Sequence, residues 1–104
     1  MSAPAANQLG VASLRETLRE HLPLLAERYG VASLALFGSR VRGETNAESD
    51  LDVLVRFNNT PGLIRFNQLE NHLSDLLGLR VDLVMADALK PAVKERVLAE
   101  MLPV

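Results

Sequence analysis

Cysteine is absent from this 104-residue sequence. Its absence excludes disulfide frameworks, thiolate zinc sites and cysteine nucleophiles. Histidine is scarce as well, because only His21 and His72 are present and neither belongs to a spaced ligand pattern. A histidine-based metal site would therefore have to be assembled by folding alone.

The sequence also lacks a strong charge excess and a long apolar run. Eleven Lys and Arg residues against thirteen Asp and Glu give a formal net charge of −2, which provides no global positive field for duplex nucleic acid. No apolar stretch approaches bilayer length, and the first basic residue, Arg15, comes too late for the basic head of a secretory signal. We therefore expect a cytoplasmic location, no membrane contact and only local anion binding.

What the sequence does contain is the composition of a folded domain. Hydrophobic residues make up 48% of the chain and charged residues 23%, close to the average for globular proteins. This length suffices to bury one core. Residues 1–12 are small and weakly polar and are predicted to form a disordered lead, whereas residues 13–104 are predicted to form a single domain.

Hydrophobic spacing predicts where the helices lie. An apolar stripe predicts a first helix from a capping box at residues 13–16 to Gly30, and Pro23 is expected to kink or break it. A second stripe ends at Gly78 and is formed by Phe66, Leu69, Leu73, Leu76 and Leu77. The last helix is predicted to begin near Pro91 and to bury Val93, Val97, Leu98 and Met101.

Three short apolar runs predict strands at Val31–Phe37, Leu51–Phe57 and residues 80–85. The element order αβ(α)βαβα indicates an α/β (α+β) fold with a small mixed sheet of about three or more strands and helices packed against it. The second and third strands should be parallel because a helix joins them, whereas the short link between the first and second suits antiparallel neighbours.

Gly38 and Ser39 directly follow the first predicted strand and open a short helical turn. Backbone amides and a hydroxyl at such a turn can bind an anion such as phosphate, although Gly-Ser is also common in plain turns. Arg40 and Arg42 come next and could neutralise triphosphate charge, contact an acidic partner or simply face solvent.

Three aspartates are the candidate metal ligands. Asp50 and Asp52 lie two residues apart on a predicted strand, so their carboxylates share one face and repel each other unless a cation lies between them. A solvated strand start is the alternative. Asp82 lies in an otherwise apolar strand, where a charge is costly unless it is exposed or bound. If the two strands are parallel, the three carboxylates meet at one end of the sheet and favour Mg²⁺ or Mn²⁺ over zinc.

Together these features form a Gly-Ser turn, a paired-aspartate strand and a later acidic strand, carried by Gly38, Ser39, Arg42, Gly43, residues 49–52 and Asp82. This combination resembles the minimal nucleotidyltransferases of the DNA polymerase beta superfamily. The small size of the chain is similar to that of the antitoxin-type members encoded beside a HEPN toxin. The resemblance spans about residues 13–104.

The resemblance implies a role for each residue. Gly38 and Ser39 would hold the β and γ phosphates of a nucleotide, Asp50 and Asp52 would bridge two Mg²⁺ or Mn²⁺ ions, and Asp82 would complete the site that activates the acceptor hydroxyl. The implied reaction transfers AMP from ATP to a hydroxyl of a HEPN toxin, with Tyr as the expected acceptor. Two alternatives stay open: a non-catalytic antitoxin that occludes its partner, and a small-molecule nucleotidyltransferase whose acceptor pocket a homodimer would complete.

Overall fold

A computed structural model describes residues 10–43 and 50–104. In chain order the elements are α1 (Val11–Tyr29), β1 (Val31–Phe37), α2 (Ser39–Arg42), β2 (Leu51–Phe57), α3 (Leu63–Leu77), β3 (Val81–Met85), a 3-10 turn (Ala86–Ala88), α4 (Pro91–Glu100) and β4 (Leu102–Pro103). The four strands form one sheet in the order β3-β2-β1-β4. The mixed α+β fold that the sequence predicts is confirmed.

Strand directions determine which ends of the strands meet. β1 is antiparallel to β2, and β2 is parallel to β3, as predicted. The register pairs Phe37 at the end of β1 with Asp52, and Asp52 in turn with Asp82. The end of β1 and the beginnings of β2 and β3 therefore lie at one end of the sheet.

The two faces of the sheet are covered differently. Helices α1 and α3 cover one face, and their leucines pack against Leu51, Val53, Val81 and Leu83 of β2 and β3. Helix α4 covers the other face with a smaller cluster of Ala35, Leu54, Ala86 and Val97. Because strand side chains alternate between faces, Asp52 and Asp82 project on the α4 side.

Side chains of α3 cap the outer edge of β3. The backbone N–H of Val81 donates to Ser74 Oγ at 3.0 Å, and that of Leu83 donates to Glu70 Oε2 at 2.9 Å. One turn of helix and two residues of strand have similar rises, so the two acceptors match the two donors. Asp82 is thereby fixed between two anchored neighbours.

Helix α1 begins earlier than predicted. Gly10 is its N-cap and makes no side-chain cap hydrogen bond, so the proposed capping box at residues 13–16 is wrong. The helix extends because Val11 packs against the core, and Ser13 instead accepts the Thr17 hydroxyl at its carbonyl. Residues 10–12 therefore belong to the fold rather than to the predicted lead, whose first nine residues lie outside the described part of the chain.

Pro23 does not break α1, which runs as one helix from Val11 to Tyr29. A proline at this position cannot donate to the carbonyl of Arg19. Both residues are exposed, so water can satisfy that carbonyl and the helix continues. The predicted division into two short helices is therefore wrong.

The C-terminal segment also differs from prediction. Val97 is buried, but Val93 and Leu98 are 41% and 37% exposed, because the cluster beneath α4 is too small to cover both. Met101 is only half-buried and caps the helix rather than lying in it. Strand β4 was not predicted, since its two residues carry no periodicity. None of the helices described is both long and apolar enough to cross a membrane.

Candidate active site

Asp52 and Asp82 are the centre of the candidate site. They are direct partners in the parallel β2–β3 ladder, and the Leu51 N–H donates to the Arg80 carbonyl at 2.9 Å, which holds the two strand starts in register. The Asp82 carboxyl lies close enough to help raise the pKa of Asp52. Two carboxylates this close repel each other when both are ionised.

The pKa of Asp52 reflects the burial of its carboxyl and the negative charge around it. The pKa of Asp52 is raised to about 6, chiefly by burial and then by Asp82 and Asp50, while Arg42 lowers it. Asp50 is exposed and lies just before β2, which starts at Leu51 as predicted. The structure thus brings Asp52 and Asp82 into contact and leaves Asp50 as a nearby charge.

Gly38 approaches Asp52 too closely for any other residue. Its φ of +88° lies in the region that L side chains rarely adopt. A Cβ at this position would overlap Asp52 Oδ2 and lie 2.9 Å from Asp52 Cγ. Sequence analysis assigned Gly38 to phosphate approach alone and missed this contact, which arises from the Phe37–Asp52 register and has no local signal.

The turn after Gly38 is a single helical turn, α2, as predicted. The Gly38 carbonyl accepts the N–H groups of Val41 at 3.1 Å and Arg42 at 3.2 Å. Ser39 occupies the first helical position and is half-buried. Arg40 is only 8% exposed, so a solvated role for it is wrong.

Arg42 links this turn to the C-terminal helix. Its Nη1 donates to Glu100 Oε2 at 3.1 Å, and the two side chains are 41% and 33% exposed. Sequence analysis missed Glu100, because the two residues are 58 positions apart and belong to no common motif. Ser49, the serine of the paired-aspartate run, lies outside the described residues.

The donor set fits a hard divalent cation shared with substrate. In residues 10–43 and 50–104, no cluster of three or more His, Cys, Asp or Glu side chains could hold a metal ion. Mg²⁺, however, is usually held by one or two carboxylates together with water and substrate phosphates. Asp52 and Asp82 provide two such carboxylates. The pKa of Asp52 is raised by burial first and then by the charges of Asp82 and Asp50, and a cation would offset those charges.

A cavity of about 660 Å³ lies beside α3 and the beginning of β3. Glu70, Ser74 and Arg80 are among its lining residues. Because α3 covers the face opposite the carboxylates, strand β3 separates this cavity from Asp82. The acidic pair itself lies on the more open face of the sheet.

Comparison with known proteins identifies the family of this chain. A model described as the nucleotidyltransferase domain matches residues 18–104. The chain belongs to the nucleotidyltransferase domain family. The predicted family and enzyme class are therefore confirmed.

Individual relatives narrow this assignment. Protein adenylyltransferase MntA of Thermococcus cleftensis is 45% identical over 93 residues, which cover 89% of this chain and 94% of that protein. A solved structure assigned as a minimal nucleotidyltransferase is 38% identical, with a TM-score of 0.76 and coverage of 93% and 98%.

A tri-AMPylated HEPN toxin in complex with an MNT antitoxin, from Shewanella oneidensis, provides a further structural match. It is 21% identical, with a TM-score of 0.63 and coverage of 86% of this chain and 70% of that one. At this identity the match shows that this chain shares a fold with the matched chain of that complex.

Proposed function

We propose that this nucleotidyltransferase uses Mg²⁺ or Mn²⁺ to transfer AMP from ATP to a hydroxyl, in the first instance Tyr, of a partner HEPN toxin. It would act in the cytoplasm as the antitoxin of that partner. The observation that carries the proposal is the Asp52–Asp82 pair, packed against the Cα of Gly38 at one end of the sheet. Similarity to MntA and to the fold of the AMPylated toxin complex supports the partner class.

Gly38, Ser39 and Arg42 are proposed to bind the triphosphate. The glycine keeps the chain free of a side chain beside the carboxylates, and the Ser39 hydroxyl lies at the start of the α2 turn. Arg42 supplies a permanent positive charge close enough to lower the pKa of Asp52.

Asp50, Asp52 and Asp82 are proposed to hold the cation with the substrate phosphates. A bound Mg²⁺ would neutralise phosphate charge and lower the pKa of the acceptor hydroxyl. Asp52 is central because Asp82 and Asp50 both lie close enough to raise its pKa. Asp82 is exposed, so a hydroxyl on another protein can reach its carboxylate.

The reaction is an in-line displacement at the α phosphorus. The acceptor oxygen forms a bond to that phosphorus, while the bond to the oxygen bridging the β phosphate breaks. Pyrophosphate leaves with the electron pair of the broken bond, and AMP remains on the acceptor. The hydroxyl proton passes to Asp82 or to solvent. The open face beside Asp82 suits a hydroxyl carried on a protein loop or tail.

The decisive experiment combines the protein with its cognate toxin, ATP and Mg²⁺ and measures the intact mass of the toxin. We expect the toxin to gain one or more adenylate units. Asp82→Asn should abolish this gain but retain most ATP binding, because activation of the acceptor contributes in the transition state rather than the ground state.

The same experiment tests the alternatives. If wild type and Asp82→Asn neutralise the toxin equally and neither changes its mass, the chain acts by occlusion. Adenylation of a small hydroxyl compound with no change in toxin mass would favour a small-molecule acceptor.

A further inference from the structure

One ion pair connects the proposed phosphate-binding turn to the end of the chain. Arg42 is the last residue of α2, and Glu100 is the last residue of α4. Their contact of 3.1 Å engages Nη1 of the guanidinium. An arginine has five N–H donors, so one guanidinium can contact a carboxylate and a phosphate at the same time.

Arg42 also acts on the acidic pair. Its positive charge lowers the pKa of Asp52, against the effects of burial, Asp82 and Asp50. The guanidinium therefore lies within electrostatic reach of the Asp52 carboxylate while it contacts Glu100. Glu100 thus contacts Arg42, and Arg42 in turn acts on Asp52.

Glu100 is itself fixed by the segment that follows it. Strand β4 pairs with Ala35 and Leu36 of β1, and the Val104 N–H donates to the Leu34 carbonyl at 3.0 Å. Arg15 of α1 donates to the Pro103 carbonyl from Nε at 3.0 Å and from Nη2 at 2.6 Å. The C-terminus is therefore anchored to the same strand that leads into Gly38.

We infer that Glu100 is a positioning residue, which holds Arg42 where it meets the triphosphate of bound ATP. This inference rests on the proposed function, since it assigns Arg42 to the phosphates. A guanidinium already held in place loses less side-chain freedom on binding. Exposed ion pairs contribute little to folding, so removing Glu100 should affect nucleotide binding and leave thermal stability nearly unchanged.

Glu100→Gln keeps the size of the side chain but removes its charge. We expect this change to raise the Kd for Mg²⁺-ATP, measured by calorimetry, and the KM for ATP several-fold, with kcat and Tm nearly unchanged. Glu100→Asp, which keeps the charge, should fall between wild type and Glu100→Gln. Glu95→Gln, on an exposed glutamate of the same helix, is the matched control and should behave as wild type.

A double-variant comparison decides whether Glu100 acts through Arg42. Arg42→Gln alone should weaken ATP binding more than Glu100→Gln, and the combined variant should bind no worse than Arg42→Gln. A wild-type Kd in Glu100→Gln, or additive effects in the combined variant, would overturn the inference. If no protein adenylation occurs but Glu100→Gln still weakens ATP binding through Arg42, the proposed function fails and the positioning role stands.

Discussion

The two faces of the sheet differ in how many apolar residues they bury and in the charge they carry. Among the residues that the structure describes, fourteen form the buried cluster on the α1 and α3 face, whereas four form the cluster beneath α4. The larger cluster supplies most of the apolar burial that stabilises the fold. The smaller one leaves room for Asp52 and Asp82, whose mutual repulsion a protein core could not accommodate. The site therefore lies on the face that contributes less to stability.

The largest expected effect tests this division of stability. Leu73 is 0% exposed in the larger cluster, and Leu73→Ala should lower the free energy of unfolding by about 2–5 kcal/mol. Val97→Ala beneath α4 removes fewer side-chain carbons from a smaller cluster, at about 0.8 kcal/mol per buried methylene, and should cost clearly less. Urea denaturation measures both. Equal losses would mean that the two faces contribute alike.

Sequence analysis succeeded where structure depends on local spacing. The apolar stripes of α1 and α3 and the apolar runs of β1 and β2 predicted those elements correctly. Apolar residues at a helical or strand period are compatible with few other secondary structures. It failed where the outcome depends on what lies opposite. Val93 and Leu98 are apolar in sequence, but the small cluster beneath α4 cannot bury them.

The candidate site shows the same limit. The acidic residues and the Gly-Ser turn could be found from the sequence, because their types and order carry the resemblance. The contact between Gly38 and Asp52 depends on cross-strand register, and the Arg42–Glu100 pair depends on how α4 ends. Neither has a sequence motif, since each joins distant segments that only folding brings together.

The next effect sharpens the comparison on the site face. Gly38→Ala should destabilise the protein by about 2 kcal/mol or more, because positive φ is strained for alanine and its Cβ would overlap Asp52. Gly43→Ala is the matched control, since Gly43 has a similar φ of +74° and no atom of residues 10–43 or 50–104 lies within 4 Å of the added Cβ. It should lose only about 1–2 kcal/mol, from backbone strain.

Adenylation and a second variant separate the two causes. Gly38→Ala should lose AMP transfer to the toxin, whereas Gly43→Ala should keep more of it. Combining Gly38→Ala with Asp52→Ala removes the overlapping carboxylate and should restore part of the lost stability. If Gly38→Ala and Gly43→Ala are equally stable, the close approach to Asp52 is unimportant.

The smallest effect concerns the charge that the site face tolerates. The pKa of Asp52 rises from 3.8 to about 6 because of burial first, then Asp82 and Asp50. The folded state therefore holds this proton more tightly than the unfolded state does. Its contribution to stability is fully present below about pH 3.8 and is lost as pH rises through about 6. After allowance for solvent screening, the loss should be on the order of 1 kcal/mol.

Denaturation of the metal-free protein in chelating buffer between pH 4 and 7 measures this loss. Other carboxyl groups titrate in the same range, so the informative quantity is the difference from Asp52→Asn, which cannot ionise. We expect the stability of wild type to fall relative to Asp52→Asn as pH rises, and Mg²⁺-ATP to reverse that fall above about pH 6, because the cation binds the ionised carboxylate. Parallel pH profiles for the two proteins would show that ionisation of Asp52 does not destabilise the folded state, and would contradict the prediction.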